Sequence, residues 1–353
     1  MKSVEILSLL RKNHSMKKKF FRIILVLLFA CLLFSCAKEY DEHFYGQRNI
    51  EGQENVGSGD FASAGEIISF PRKWGDDFLI SAIESAKNRI WIEIYTFTKN
   101  EKIFQALLDA KNRGVDVQVL LEWNVYGTPA INNQARKFFR ENHISVKYTD
   151  NNRYVFTHAK FWLIDEDYYI STGNWTRSFF TKNREYIYRG SDESTRTFLE
   201  KIFQVDFAHK WFSQLSKIPP QIVMSPINSR YQIEKFINET NDEILIYVQT
   251  VTDPNIINLL QKLDNNGKKV IVCTADNEGN RAVFETLGLD WILATEPYLH
   301  AKIMLRDDGK IFLWSENFTT NSLDNNREMG ILLENRLDIF QKIREDFRKH
   351  CGS

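Results

Sequence analysis

The sequence predicts an α/β fold built twice: two tandem duplicated α/β units, each a mainly parallel mixed sheet flanked by helices, packed with pseudo-two-fold symmetry around one active site. Three observations carry this expectation. From Glu66 onward, helix-like and strand-like patterns alternate. The order of those patterns in the first half recurs in the second, and one group of chemically active residues recurs with it. At 353 residues the chain has room for two cores of ordinary size, and its 43% hydrophobic content is enough to fill them.

Taken in order, residues 1–36 read as an export signal. Lys17, Lys18, Lys19 and Arg22 precede an apolar run from Ile23 to Phe34 that is too short to span a bilayer. The run closes on Leu33-Phe34-Ser35-Cys36, which resembles the lipobox of bacterial lipoproteins. Cys36 is therefore the expected lipid attachment site, and the product an envelope protein exported through the Sec pathway and anchored to a membrane, with Met16 as an alternative start. Residues 37–65 are polar and punctuated by Gly52, Gly57, Gly59 and Gly65, as a flexible tether would be. With Cys31 in the signal and Cys36 lipidated, Cys273 and Cys351 are left, which is not a disulfide framework. Cys273 ends the apolar run Val270 to Val272 and reads as a buried strand residue.

The duplication occupies residues 66–220 and 221–353, with the boundary marked by Pro219 and Pro220. In the first unit a helix over Asp76 to Ala86 leads to a strand over Arg89 to Thr98. A second helix, Glu101 to Asn112, stops at Gly114, and Val115 to Leu121 is the next strand. In the second unit the same order runs through a helix at Tyr231 to Thr240, a strand at Glu243 to Thr252, a helix at Asn255 to Asp264, Gly267, and a strand at Lys268 to Cys273. Gly114 and Gly267 each stand where a helix must turn into a strand, a position that favours positive φ. Before the prolines, Ser194 to Leu215 reads as one long helix.

His158, Lys160 and Asp165 stand at relative positions 0, +2 and +7, and His300, Lys302 and Asp307 repeat that spacing. The flanks repeat too: Thr172, Asn174 and Glu185 follow the first histidine, and Ser315, Asn317 and Glu328 follow the second. The stretches Thr181-Lys-Asn-Arg-Glu185 and Leu323-Asp-Asn-Asn-Arg-Glu328 hold the register, with one residue fewer in the first copy. On a strand, residues two apart share a face, so each histidine projects with its lysine while Asp165 and Asp307 fall on the other parity. The two aspartates are read as supports near strand ends rather than as catalysts.

This pattern resembles the phospholipase D superfamily, whose His-x-Lys-x4-Asp motif is followed by Gly-Ser-x-Asn and occurs twice in the lipid-acting members. The resemblance covers residues 66–334; it departs at Ser171 and Trp314, which replace the glycine, and at Thr172, which replaces the serine. The chemistry also follows from residue types. Lys160, Lys302, Asn174, Asn317, Thr172 and Ser315 can hold phosphate oxygens, one imidazole can attack phosphorus, and the other can protonate the leaving alcohol. Glu185 and Glu328 suit the second imidazole nitrogen of each histidine, in their own half or across the interface. The resemblance implies attack by His158 and acid catalysis by His300.

No metal-ligand spacing occurs, so neither metal nor cofactor is expected. Lys plus Arg and Asp plus Glu both total 46, which favours a phospholipid substrate over nucleic acid, because a nuclease needs a basic track along the backbone. A nuclease of the same superfamily is the alternative, and a silent scaffold is disfavoured by two intact sets of site residues. A monomer suffices for one site. Tyr95 and Gln249 end equivalent strands and are placed either for packing or for substrate contact. Trp175, Phe179, Phe180 and Phe318 read as core, and His143, His209 and His350 as structural. Arg344, Arg348 and Lys349 read as a solvated helix face.

Overall fold

The computed structural model describes residues 65–72, 75–212, 218–287 and 290–352. The expected signal peptide, Cys36 and the tether up to residue 64 lie outside the described residues.

The first sheet takes strands β1 (Glu66–Phe70), β2 (Arg89–Ile94), β3 (Asp116–Leu121), β4 (Ser145–Tyr148), β5 (Lys160–Ile164), β6 (Asp167–Ser171) and β7 (Asn183–Gly190) in the order β1-β7-β6-β5-β2-β3-β4. The second takes β8 (Ile222–Ser225), β9 (Glu243–Val248), β10 (Lys269–Ala275), β11 (Asp290–Ala294), β13 (Ile303–Arg306), β14 (Ile311–Trp314) and β15 (Glu328–Leu333) in the order β11-β10-β9-β13-β14-β15-β8. The short strand β12 (Tyr298–Leu299), although it belongs to the second half of the chain, pairs with β7 of the first sheet. The α/β duplication is as expected, but the sheets are less parallel than the alternating pattern implied. Among the described residues the parallel pairings are those of β2-β3-β4, of β9-β10-β11 and of the short β12 with β7. The remaining pairings within each sheet, from β2 through β5, β6 and β7 to β1 and from β9 through β13, β14 and β15 to β8, are antiparallel. The reason is local: a hairpin returns the chain directly after each His-x-Lys strand, and a two-residue-period strand reads the same whether its neighbour is parallel or not.

Side chains alternate across each sheet and so build three cores. Ile90, Ile92 and Ile94 of β2 face an outer core under α1 (Asp77–Ser85) and α2 (Glu101–Asn112). Ile244, Ile246 and Val248 of β9 do the same under α6 (Ser229–Asn238) and α7 (Pro254–Asn265). The inner faces meet in one shared core, which also takes Phe198, Leu199, Ile202 and Phe203 of α5 (Glu193–Phe207) and Ile339, Phe340, Ile343 and Phe347 of α10 (Leu337–Cys351). That shared layer fixes the two halves against each other.

Helix ends follow the expected chemistry. Gly114 and Gly267 have φ of 93° and 76°, and beside them the Val115 and Lys268 N–H groups return to Ala110 O and Leu263 O. The helix expected over Ser194 to Leu215 instead stops at Phe207, where His209 takes a left-handed φ of 54° and Lys210 N–H closes on Val205 O. Cys273 and Cys351 form a disulfide, with Cα atoms 6.1 Å apart. This corrects the reading of an unpaired pair: α10 folds back over the sheet, and a partner 78 residues away leaves no trace in spacing.

Candidate active site

The site lies where the halves exchange backbone. The residue before each motif histidine pairs with the residue before the opposite half's glutamate: Thr157 with Arg327, and Leu299 with Arg184. His158 N–H donates to Arg327 O at 2.7 Å, and His300 N–H to Arg184 O at 3.3 Å. Side chains follow the backbone. His158 Nδ1 lies 2.8 Å from Glu328 Oε2, and His300 Nδ1 lies 2.5 Å from Glu185 Oε1. Both glutamates therefore serve the opposite half, which settles a pairing that the sequence left open. With Nδ1 committed to a carboxylate, each imidazole turns Nε2 away from that glutamate, and at His300 the Lys302 ammonium lies 3.3 Å from it.

Each carboxylate is held by an equivalent set of donors. Thr172 Oγ1 donates to Glu185 Oε2 and Ser315 Oγ to Glu328 Oε2, both at 2.6 Å. Asn183 and Asn326 add amide contacts at 3.5 and 3.1 Å. The two hydroxyls are fully buried, so Thr172 and Ser315 position glutamates; they do not hold substrate as the motif suggested. Their oxygens also accept the Tyr186 and Met329 N–H groups, which leaves them no capacity for a phosphate. Gly173 leaves room for this arrangement in the first half, since a Cβ there would come within 2.3 Å of Glu185 Oε1.

Asn174 and Asn317 are each held by one end of the amide only. Their amide oxygens accept Thr96 N–H at 3.3 Å and Thr250 N–H at 3.2 Å, while neither Nδ2 group has a partner among the described residues. The strand ends that supply those N–H groups are themselves tied by two residues that the sequence reading missed. Asn132 accepts from Phe97 N–H and donates to Tyr95 O and Glu122 O. Asn280 accepts from Val251 N–H and donates to Gln249 O and Ala275 O. An asparagine after the equivalent strand in both halves was the available signal, hidden by loops of unequal length. Asp165 accepts from the backbone of Lys87, Asn88 and Arg89, and Asp307 from Asn241 and Asp242, so both are supports away from the chemistry.

Electrostatics suit a phosphodiester. Lys160 and Lys302 are completely buried, with ammonium groups on the backbone oxygens of His158 and His300. Burial pushes Lys302 down to about 8 and Lys160 well below the ordinary ammonium range. Burial likewise lowers His158 to about 4, against the upward pull of Glu328, with Lys160 and then the other half's Lys302 adding to the depression. His300 is lowered by burial too, opposed by Glu185, with Lys302 and Lys160 adding to it. Although burial alone would raise them, Glu185 and Glu328 are held below the usual carboxylate range by the imidazoles and hydroxyls they face. An incoming phosphate anion reverses the balance by restoring a counter-charge to two desolvated ammonium groups.

Two equivalent histidine–glutamate units, His158 with Glu328 and His300 with Glu185, each accompanied by a buried lysine and an asparagine of its own repeat, make up the site. Residues 79–211 and 233–351 match the family described as the phospholipase D-like domain of cardiolipin synthase. The chain belongs to this phospholipase D-like family. It is 26% identical over 163 residues to phospholipase D Z of Dictyostelium discoideum, across 40% of this chain and 38% of that relative's length. Among solved structures, the phosphatidylserine synthase of Haemophilus influenzae superposes with a TM-score of 0.63 at 14% identity, over 80% of this chain and 86% of that one. The polyphosphate kinase of Porphyromonas gingivalis does so at 0.62 and 17%, over 80% and 49%. At such identities the likeness is one of fold.

Proposed function

We propose that this protein is a phospholipase D-type phosphodiesterase that hydrolyses or transfers phosphatidyl groups through a phosphohistidine, acting as a monomer tethered to a bacterial membrane through Cys36. The observation that carries the reading is the exchange of glutamates, His158 with Glu328 and His300 with Glu185, which makes two aligned histidines serve one substrate. His158 Nε2 attacks phosphorus, the bond to the leaving alcohol oxygen breaks, and His300 Nε2–H supplies that oxygen's proton. His300, now neutral, takes a proton from water or a second alcohol. The resulting oxygen attacks phosphorus and the P–N bond breaks, freeing His158. Throughout, the two lysines and the two Nδ2 groups neutralise the non-bridging oxygens.

The Cys273–Cys351 disulfide supports an exported location, since disulfides persist in oxidising compartments. The test is a side-by-side assay of the full chain on labelled phosphatidylcholine, phosphatidylglycerol and single-stranded DNA, with chelator present. Lipid turnover that the chelator leaves unchanged is expected. Turnover confined to DNA would replace the phospholipid reading with the nuclease one.

A further inference from the structure

The two halves frame the site with unequal lips. Asn132 and Asn280 mark equivalent points, because each bridges the end of its own half's β2-like strand. From Glu122 to Asn132 the loop advances ten residues; from Ala275 to Asn280 the equivalent loop advances five. The longer loop carries Trp123, 56% exposed, and Tyr126, 83% exposed. Tyr126 is not loosely placed: its N–H donates to Tyr95 OH at 2.7 Å. Rings lead from it to the chemistry, with Tyr126 to Phe156 at 6.4 Å, Phe156 to Tyr95 at 6.1 Å, and Tyr95 to the His158 imidazole at 4.5 Å. Val155, 47% exposed, extends the apolar edge. Beside His300 the equivalent positions are Gln249 for Tyr95 and Tyr298, an aromatic 41% exposed, for Phe156; Gln249 Nε2 donates to the Tyr298 hydroxyl at 3.0 Å, so this side presents a hydrogen-bonded polar pair where the other presents ring contacts.

We infer that the aromatic lip on the His158 side is a subsite for the glycerol and acyl part of a phosphatidyl substrate, and that the polar Gln249–Tyr298 side receives the departing head-group alcohol. The inference rests on the phospholipase D-type reading above and adds direction to it. In an in-line displacement by His158 the leaving oxygen departs toward His300 while the retained ester oxygen stays equatorial on phosphorus; with the His300 side given to the departing alcohol, the aromatic lip is the flank left for the retained group. Rings with a hydroxyl at the edge suit a lipid–water boundary, where apolar faces are buried and polar edges stay wet. Contiguous exposed apolar surface at the mouth of a site is costly unless a ligand covers it. An isolated phosphodiester gains nothing from the lip, so its contribution is confined to substrates with an apolar tail.

The test compares the full chain with its Tyr126→Ser and Tyr126→Phe forms on dioleoylphosphatidylglycerol in mixed micelles, on methyl 4-nitrophenyl phosphate, and on single-stranded DNA. Tyr126 is exposed, so Tyr126→Ser is expected to fold, and its activity on the small diester shows that directly. For Tyr126→Ser, kcat/KM on the lipid is expected to fall about ten-fold, the worth of one aromatic face withdrawn from apolar contact, and on the small diester to stay within about two-fold. Tyr126→Phe keeps the face and is expected to keep lipid turnover. Equal losses on lipid and small diester, no loss on lipid, or a loss confined to DNA would overturn the subsite. Wild-type protein that cleaves DNA and no lipid would overturn the phospholipase D-type reading, and the subsite with it.

Discussion

Asp206→Asn strikes the contact that locks the halves together behind the site. Arg327 is completely buried and reaches Asp206 Oδ2 through Nε and Nη2, both at 2.8 Å, while Arg153 reaches Oδ1 at 2.8 Å. Arg327 also supplies the carbonyl that takes His158 N–H and immediately precedes Glu328. Removing one partner of a buried ion pair costs about 3–5 kcal/mol, because the remaining charge stays desolvated. The lower end is expected here. Glu93 is buried beside this cluster without a hydrogen-bond partner among the described residues; burial, and after it the charge of Asp206, hold its carboxyl well above the usual range. With Asp206 neutral, Glu93 ionises more readily and partly replaces it, so Glu93→Gln should worsen Asp206→Asn beyond additivity. At about 2 °C per kcal/mol for a chain of this size, Asp206→Asn lowers Tm by about 6 °C, and turnover falls roughly ten- to a hundred-fold as Glu328 and His158 lose their frame. The symmetric contact, Arg184 with Asp346, is longer at 3.4 Å and more exposed, at 9% and 18%. Asp346→Asn should cost about 1 kcal/mol, or about 2 °C. Thermal unfolding of Asp206→Asn, Glu93→Gln, their double variant and Asp346→Asn reads this directly. An unchanged Tm in Asp206→Asn, or a larger loss in Asp346→Asn, would refute the reasoning.

Three further outcomes follow from the site. With His158 lowered to about 4 and needed neutral, and His300 lowered from 6.5 and needed protonated, kcat/KM should rise through about pH 4 and decline before pH 7; a plateau extending beyond pH 8 would contradict the assignment. Glu328→Gln should block formation of the intermediate, whereas Glu185→Gln should still release a stoichiometric burst of 4-nitrophenol, since a good leaving group needs little acid; the opposite pattern in stopped-flow absorbance would reverse the roles. Ser315→Ala should lower kcat about ten-fold with KM nearly unchanged, because its hydroxyl holds Glu328 and touches no substrate; a change in KM alone would return it to the substrate-binding set.

The site was legible because the duplication presents each residue twice: His158, Lys160, Asn174 and Glu185 gain meaning from His300, Lys302, Asn317 and Glu328. Which glutamate serves which histidine was not legible, since crossing depends on how the halves dock and spacing is identical either way. The hydroxyls of Thr172 and Ser315 stand near Asn174 and Asn317 in sequence, and only their burial and partners show that glutamates occupy them. Asn132 and Asn280 were hidden by the five-residue difference between their loops. Asp206 and Asp346 looked like ordinary helix positions, and their partners lie 121 and 162 residues away. The strands of β2 and β9 were found from alternation, but each ended at Ile94 and Val248, four residues early, where the chain leaves the sheet to bring Thr96 and Thr250 to the site.

A covalent phosphohistidine at His158 is the step on which the proposed mechanism turns. Full-chain His300→Ala, mixed with a 4-nitrophenyl phosphodiester, quenched in cold alkali and mapped by peptide mass spectrometry, should carry an acid-labile phosphoryl adduct on the peptide containing His158, and His158→Ala should carry none. An adduct on the His300 peptide of wild-type protein would exchange the two roles. Full turnover by the protein lacking both imidazoles would contradict the account.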